Sequence, residues 1–237
     1  MSRVEAVIFA AGLGSRLKRG RPKCLVKVGG RTILEHQAAA IADAAPGCRI
    51  HVVAGFRYEA VLAQVRRIRA NAELRIIRNP FFECAGINGS AWLAGREVAA
   101  RRVLRLDGDL ILSPSTVERL LACRRTTFLV TPCDKHHRTA VVRPSGHAVG
   151  RIELLEAYTG DFEWACAELY AAGEFQAVAR VAAGLTATGR YYFEAVNRYY
   201  RDRRLRPEWL LSPEVVEVDV PEDLARARRF VRGGGRP

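Results

Sequence analysis

Near its N-terminus the chain runs Val4-Glu5-Ala6-Val7-Ile8-Phe9-Ala10 and then, without a break, Ala11-Gly12-Leu13-Gly14-Ser15-Arg16. This junction constrains the fold more than any other stretch. A short apolar run ending in glycine predicts a buried strand followed by a tight loop. Gly12 and Gly14 have no Cβ, so the backbone there can take positive φ and approach a ligand closely. Consecutive backbone N–H groups in such a loop form a cradle for an anion. Arg16 and Lys23 would add positive charge beside it. Two glycines alone read more simply as a strand-to-helix turn.

Spacing excludes two better-known phosphate loops. A Walker loop requires Gly, four residues and then Gly-Lys-Ser/Thr, and no such run follows the first strand. A dinucleotide fingerprint requires a third glycine where Leu17 stands, and an acidic residue closing the second strand. The second strand, Arg49 to Ala54, runs instead into Gly55-Phe56-Arg57.

The longer string Ala10-Ala11-Gly12-Leu13-Gly14-Ser15-Arg16-Leu17, followed by Arg21-Pro22-Lys23-Cys24-Leu25, resembles the opening of the nucleotidyltransferase superfamily. That superfamily includes sugar-1-phosphate nucleotidyltransferases and bacterial choline-phosphate cytidylyltransferases. The resemblance implies a loop around the phosphates of an NTP, with Ala11, Gly12, Gly14 and Ser15 on the nucleotide. It makes Arg16 and Lys23 catalytic cations. It covers nearly the whole chain and is most specific at the N-terminus.

Apolar runs at 4–10, 49–54, 74–78 and 102–107 predict strands, alternating with helices over 32–44, 57–70, 88–100 and 114–123. Thr32 with Glu35 forms a capping-box pattern, and Ser113-Pro114 a cap followed by proline at the first helical position. Further on, 126–131 and 162–169 read as strands, 140–143 and 149–153 as a hairpin, 188–203 as a helix and 214–218 as a strand before a last helix. The expected fold is α/β and Rossmann-like. A mixed, mainly parallel sheet carries helices on both faces, with a small β-rich, substrate-facing insertion over about residues 130–170. This matches the nucleotide-diphospho-sugar transferase type that the resemblance implies. With 237 residues, the chain is expected to form a single domain over 1–232 with a disordered tail at 233–237.

Leu104-Arg105-Leu106-Asp107-Gly108-Asp109 places two carboxylates at the end of a buried strand, where open α/β sheets hold ligands. Alternation puts both on one face. Alone, the run reads as a turn; beside a phosphate loop, Mg²⁺ binding is favoured. The resemblance makes Asp109 a metal-binding and catalytic residue and Asp107 its support on the nucleotide side. It takes a second metal ligand from Glu217-Val218-Asp219: Asp219, with Glu217 in support. Asp219 reads equally as a helix cap, while Glu222 and Asp223 suit the first turn of the last helix. The segment Asn79-Pro80-Phe81 followed by Asn88-Gly89-Ser90 resembles the family's nucleotide-side element, giving Asn88 and Ser90 as nucleotide contacts. Gly55 borders the same region. Capping requires the same side chains as base recognition, so that reading stays open for Asn88 and Ser90.

The formal net charge is +13, nearly all from arginine, with lysine only at 18, 23, 27 and 135. It suits anionic substrates. The basic residues are scattered, so nucleic acid is not an expected partner; a homo-oligomer remains open. No apolar run reaches the ~20 residues of a membrane span, and no secretory signal is recognised, so a cytoplasmic location is expected. None of the six cysteines forms a C-x-x-C pair or a zinc pattern, which leaves them as reduced packing residues. Cys24, inside the substrate loop, is the one whose alkylation should affect activity.

Function therefore reads as Mg²⁺-dependent transfer of an NMP, favouring CMP from CTP, to a small phosphorylated or phosphonate acceptor. The close alternative is sugar-1-phosphate activation with UTP, dTTP or GTP. A non-catalytic nucleotide- or RNA-binding module is the alternative from another class. Acceptor candidates include the aromatics Tyr158, Phe162, Trp164, Tyr191, Tyr192 and Phe193, mostly core, the carboxylates Asp161, Glu163 and Glu168 for an amine or hydroxyls, and the loop His136-His137-Arg138.

Overall fold

The computed structural model describes residues 4–14, 20–132, 139–155, 162–188, 191–201, 203 and 206–234. Strand β1 (Val4–Ala10) is central to the N-terminal half and pairs in parallel on both sides. One neighbour is β4 (Cys48–Ala54), which also pairs in parallel with β5 (Ala72–Arg78); the other is β6 (Arg102–Asp107). Helices α1 (Ile33–Ala44), α2 (Tyr58–Arg67) and α3 (Gly86–Glu97) lie between these strands in sequence. From Ala6 to Ala10 β1 is apolar at every position, and the cause is direct; Glu5, also buried, is instead paired with Arg49 and His51. Ala6, Ile8 and Ala10 enter a core with Leu34, Ile41 and Leu106, while Val7 and Phe9 enter a second core with Val103, Phe128 and Phe175. Successive side chains of a strand point to opposite faces, so a strand covered on both must be apolar at every position.

Two helix starts follow the expected capping chemistry. Thr32 Oγ1 accepts the Glu35 N–H at 3.2 Å, and the Thr32 N–H donates to Glu35 Oε2 at 2.6 Å. At α4 (Pro114–Ala122), Ser113 Oγ accepts the Thr116 N–H at 3.1 Å.

The second half of the sheet is mixed. It contains β8 (Thr127–Pro132), the hairpin β9 (Thr139–Ser145) and β10 (Ala148–Leu155), β11 (Phe162–Tyr170) and the short β12 (Glu208–Leu211). The order across the sheet is β5-β4-β1-β6-β11-β8-β12-β10-β9, and β9 also meets β11 where Glu163 faces Val141. Helices α5 (Glu174–Ala183) and α6 (Tyr192–Tyr200) pack with α3 on one face. Outside the main sheet, β2 (Lys27–Val28) pairs with β3 (Arg31–Thr32), and β7 (Leu110–Leu112) pairs with β13 (Val215–Glu217). Helix α7 (Asp223–Arg232) closes a third core of Val28, Ile111, Val216 and Phe230.

The β-rich segment is narrower than expected. β11 joins the central sheet directly, antiparallel to β6, so only the β9–β10 hairpin is peripheral. The sequence reading missed α5, β7 and β12. Helix α5 starts at Gly173 (φ 81°) with no side-chain cap, and the two strands are too short to show a period. Among the described residues, no helix is long and apolar enough to cross a membrane.

Candidate active site

A cleft of about 300 Å³ opens at the carboxyl ends of β1 and β6, against the first turn of α3. Gly108 lets these two strands come together. A Cβ there would sit 2.8 Å from the Phe9 carbonyl oxygen, which already accepts the Gly108 N–H at 2.9 Å. Ala11, Gly12, Gly14, Lys23, Ser90, Asp107 and Asp109 line this cleft, together with Phe9, Phe82 and Ile87. Gly14 has φ 63°, in the left-handed region that favours glycine. Ser15 and Arg16 lie outside the described residues, as do Tyr158 and the 136–138 loop.

At one end of the cleft Lys23 meets two carboxylates from distant parts of the chain. Its Nζ lies 2.9 Å from Asp109 Oδ2 and also contacts Asp219 Oδ1. The β7–β13 pair brings them together: Leu110 faces Glu217, and the Val218 N–H donates to the Asp109 carbonyl at 2.9 Å. Helix α7 starts without a side-chain cap, so Asp219 does not serve as one; Asp223 Oδ2 instead accepts the Asp219 and Val220 N–H groups at 2.8 and 2.9 Å and fixes the turn before the helix. Asp219 thus keeps its carboxylate for Lys23. Burial pulls the Lys23 ammonium down, but the charges of Asp109 and Asp219 outweigh it and hold its pKa above the usual lysine value. Lys23 is therefore charged.

Glu217 completes the group: ligand oxygens of Asp109, Glu217 and Asp219 lie within 4.8 Å of one another. Three carboxylates against one ammonium leave negative charge for a hard cation, and oxygen donors suit Mg²⁺. Among the described residues, Asp109 Oδ1 is buried without a hydrogen-bond partner, an atom that a cation would satisfy. The residues fit a divalent metal.

On the nucleotide side, the Asn79 side chain organises the loop before α3. Its Nδ2 donates to Ser90 Oγ at 3.0 Å, and its Oδ1 accepts the Phe81 N–H at 2.9 Å. Ser90 reaches the cleft. Asn88 does not: it is wholly buried and is not part of the lining. Gly55 is also off the lining. A Cβ there would fall 2.5 Å from Phe82 Cβ, so Gly55 makes room for the aromatic that does line the cleft. Neither of these two expected nucleotide contacts is thus brought onto the cleft lining.

Sequence reasoning missed what lies beneath Asp107. Arg105, wholly buried, contacts Asp107 Oδ1 through Nη2 and reaches Glu168 Oε1 at 3.0 Å through Nη1. Its guanidinium carbon lies 4.6, 4.5 and 5.7 Å from the ring centres of Phe9, Tyr192 and Trp164. Burial pushes Asp107 up, to about 6, and Glu168 to about 8, in both cases against the pull of Arg105. Both carboxyl groups are thus held above the ordinary carboxylate range, Glu168 further than Asp107. Cys24 lines the cleft, as its place in the loop implied, but is poorly reactive. It is 1% exposed, and burial with Asp109 nearby pushes its thiol to about 12, away from the reactive thiolate.

The family described as "MobA-like NTP transferase domain" matches residues 6–206. The bifunctional IPC transferase and DIPP synthase of Rubrobacter xylanophilus is 34% identical over 121 residues, which cover 51% of this chain and 27% of that protein. The CMP-5'-(3-aminopropyl)phosphonate synthase of Streptomyces rubellomurinus is 36% identical over 122 residues, 50% of this chain and 19% of that protein. The aligned part is thus under a third of either relative's length. The structure of the CTP:phosphocholine cytidylyltransferase of Streptococcus pneumoniae superposes with a TM-score of 0.77 over 97% of this chain and 99% of that one, at 18% identity, so the fold is shared. Because the family match runs from the first buried strand to the edge of β12, this chain belongs to the MobA-like NTP transferase family.

Proposed function

We propose that the protein transfers CMP from CTP to the phosphate or phosphonate of a small acceptor and releases pyrophosphate. The observation that carries this reading is the contact of Lys23 with both Asp109 and Asp219 beside a glycine loop, at the carboxyl ends of β1 and β6. The choice of CMP is supported by two relatives whose names specify CMP or CTP.

In the reaction, an acceptor oxygen bonds to the α-phosphorus while the bond from that phosphorus to the bridging oxygen breaks. The electron pair leaves with pyrophosphate. No side chain needs to become covalently attached, so catalysis is positioning and charge neutralisation. The loop at Ala11–Gly14 lies against the phosphates, joined in this proposal by Ser15 and Arg16. Lys23, held charged by its two carboxylates, supplies a cation to the phosphate oxygens and to the departing pyrophosphate. Asp109 and Asp219, with Glu217, would hold Mg²⁺, which when bound neutralises phosphate charge. Ser90 and Phe82 border the nucleoside, and Asp107 forms part of the floor. A cytoplasmic location fits an enzyme that draws on free NTP.

Pyrophosphate release tests this directly, with Mg²⁺ and CTP, UTP, GTP, dTTP or ATP against phosphocholine, aminoalkylphosphonates, polyol phosphates and sugar 1-phosphates. The expected result is acceptor-dependent release, strongest with CTP. A preference for UTP, dTTP or GTP with sugar 1-phosphates would replace this reading with sugar activation. No release from folded protein with any pair would overturn nucleotidyl transfer.

A further inference from the structure

Asn79 follows the last residue of β5 and is wholly buried. Three hydrogen bonds hold it. Its backbone N–H donates to the Ala54 carbonyl at the end of β4 at 2.8 Å. Its side-chain Oδ1 accepts the Phe81 N–H at 2.9 Å, and its Nδ2 donates to Ser90 Oγ at 3.0 Å. The Phe81 contact decides which way round the amide stands. A backbone N–H can only donate, so the amide oxygen faces Phe81 and the NH₂ group faces Ser90.

The NH₂ group in turn fixes the polarity of Ser90. A hydroxyl has one proton to give and accepts through its lone pairs. Ser90 Oγ receives the Asn79 proton, so its own proton remains to be given. Among the described residues, Asn79 is the one hydrogen-bond partner of Ser90 Oγ. Ser90 is 2% exposed and lines the cleft from α3, beside Ile87 and Phe82. These apolar neighbours suit the flat faces of a base, and the donor stands among them.

We infer that Asn79 is a positioning residue for base selection: by holding Ser90 as a hydrogen-bond donor, it makes the cleft accept the N3 lone pair of cytosine and refuse the N3–H of uracil. The inference rests on the cytidylyl-transfer reading above and assigns its base selectivity to a side chain that does not reach the cleft. Cytosine and uracil have the same shape, and O2 accepts in both. At N3 they differ, since cytosine carries a lone pair there and uracil a proton. Two donors face to face make no bond and leave buried groups unpaired.

Asn79→Asp tests this by reversing the polarity. It keeps the shape of the side chain and puts a carboxylate oxygen where the NH₂ group stood. Ser90 then donates to that oxygen and turns a lone pair to the cleft. Calorimetric titration with CTP and with UTP, in Mg²⁺ and without acceptor, reads the ratio of the two dissociation constants. Wild type should bind CTP at least about tenfold more tightly. Ser90→Ala should bring the two nucleotides toward parity, and Asn79→Asp should go further, toward UTP. The double variant should match Ser90→Ala, because Asn79 acts through Ser90. A merely structural role for Asn79 would weaken both nucleotides alike. An unchanged ratio in either single variant overturns the inference, as does a wild type that binds the two equally or prefers UTP. Should Asn79→Asp fail to fold, an unchanged ratio in Ser90→Ala still overturns it. Selective CTP binding without pyrophosphate release in the assay above overturns nucleotidyl transfer and leaves base selection standing. Folded protein that binds neither nucleotide overturns both.

Discussion

Lys23 and Arg105 each stand between two carboxylates, Lys23 at the rim of the cleft with Asp109 and Asp219, Arg105 inside the sheet with Asp107 and Glu168. Their surroundings differ. The Lys23 side chain is 18% exposed and that of Arg105 is 0%. Lysine presents a compact charge on a flexible stem that can exchange a carboxylate for a phosphate oxygen. Arginine presents a flat fork, and here its guanidinium lies close to Phe9 and Tyr192, with Glu168 fixed opposite by strand register. The same charge pattern thus gives an exchangeable cation in one place and a locked one in the other. Fixing the second holds Asp107 and Phe9 in the floor against which the first can work.

The sharpest way to break this comparison is to remove each cation. Lys23→Ala or Asp109→Ala should lower kcat on the order of 10³-fold, in the range seen when one preorganised charge-stabilising group is lost. Thermal unfolding should move less than in Arg105→Ala, because the Lys23 and Asp109 side chains keep 18 and 16% exposure where that of Arg105 has none. Arg105→Ala should instead lose about 3–5 kcal/mol of stability, the cost of leaving buried carboxylates without their partner. Chemical denaturation measures that loss and steady-state kinetics the other. If Arg105→Ala unfolds like wild type and only kcat falls, the division between the two clusters is wrong. Arg105→Lys asks a finer question: it keeps the charge and loses the fork and the stacking. It should destabilise less than Arg105→Ala, with a residual defect in turnover.

A smaller effect follows from the Glu168 carboxyl, which burial raises from 4.5 to about 8. Between those values the folded protein keeps a proton that the unfolded chain has released. The unfolded state then binds fewer protons, so this contribution to stability is full below about pH 4.5, declines as pH rises toward 8 and is flat above. Glu168→Gln retains the shape without the titration. Calorimetry at pH 5, 6.5 and 8 should show a smaller decline of Tm in the variant than in wild type. Parallel profiles would mean that Glu168 does not hold its proton.

These clusters also show why sequence disclosed one and hid the other. Asp107 and Asp109 were legible because they end an apolar strand, a local signal. Lys23 stood out beside the glycine loop, but its contact with Asp219 spans 196 residues and depends on the three-residue strands β7 and β13. In Leu104-Arg105-Leu106, Arg105 occupies what alternation reads as an ordinary polar position. Its burial follows from β11 pairing with β6, which sets Glu168 opposite it. A register shift between Trp164 and Glu168, with Cys166 at φ 52°, accompanies that placement. Asn88 and Gly55, expected at the nucleotide, lie off the cleft lining. Amides and glycines serve packing as well as ligands, and only the position of Phe82 and the burial of α3 distinguish the two uses.

Each cluster has a cysteine beside it, which provides the mildest test of the comparison. Burial raises the Cys24 thiol to about 12 with Asp109 adding to the effect, and raises Cys166 well above its ordinary value with Asp107 adding to it. Both should resist iodoacetamide at pH 8, since the thiolate is the reacting form. Cys84 is exposed, and it should be alkylated before Cys24 and Cys166, with no loss of turnover because it does not line the cleft. Peptide mass mapping after brief labelling reads all three. Lys23→Ala should change only Cys24. Loss of the lysine opens the space beside it, but the uncompensated Asp109 carboxylate still opposes ionisation, so labelling should rise modestly. Labelling of Cys166 in step with Cys24 would show that the inner cluster opens when the outer one is disturbed, and that Arg105 is not locked independently of Lys23.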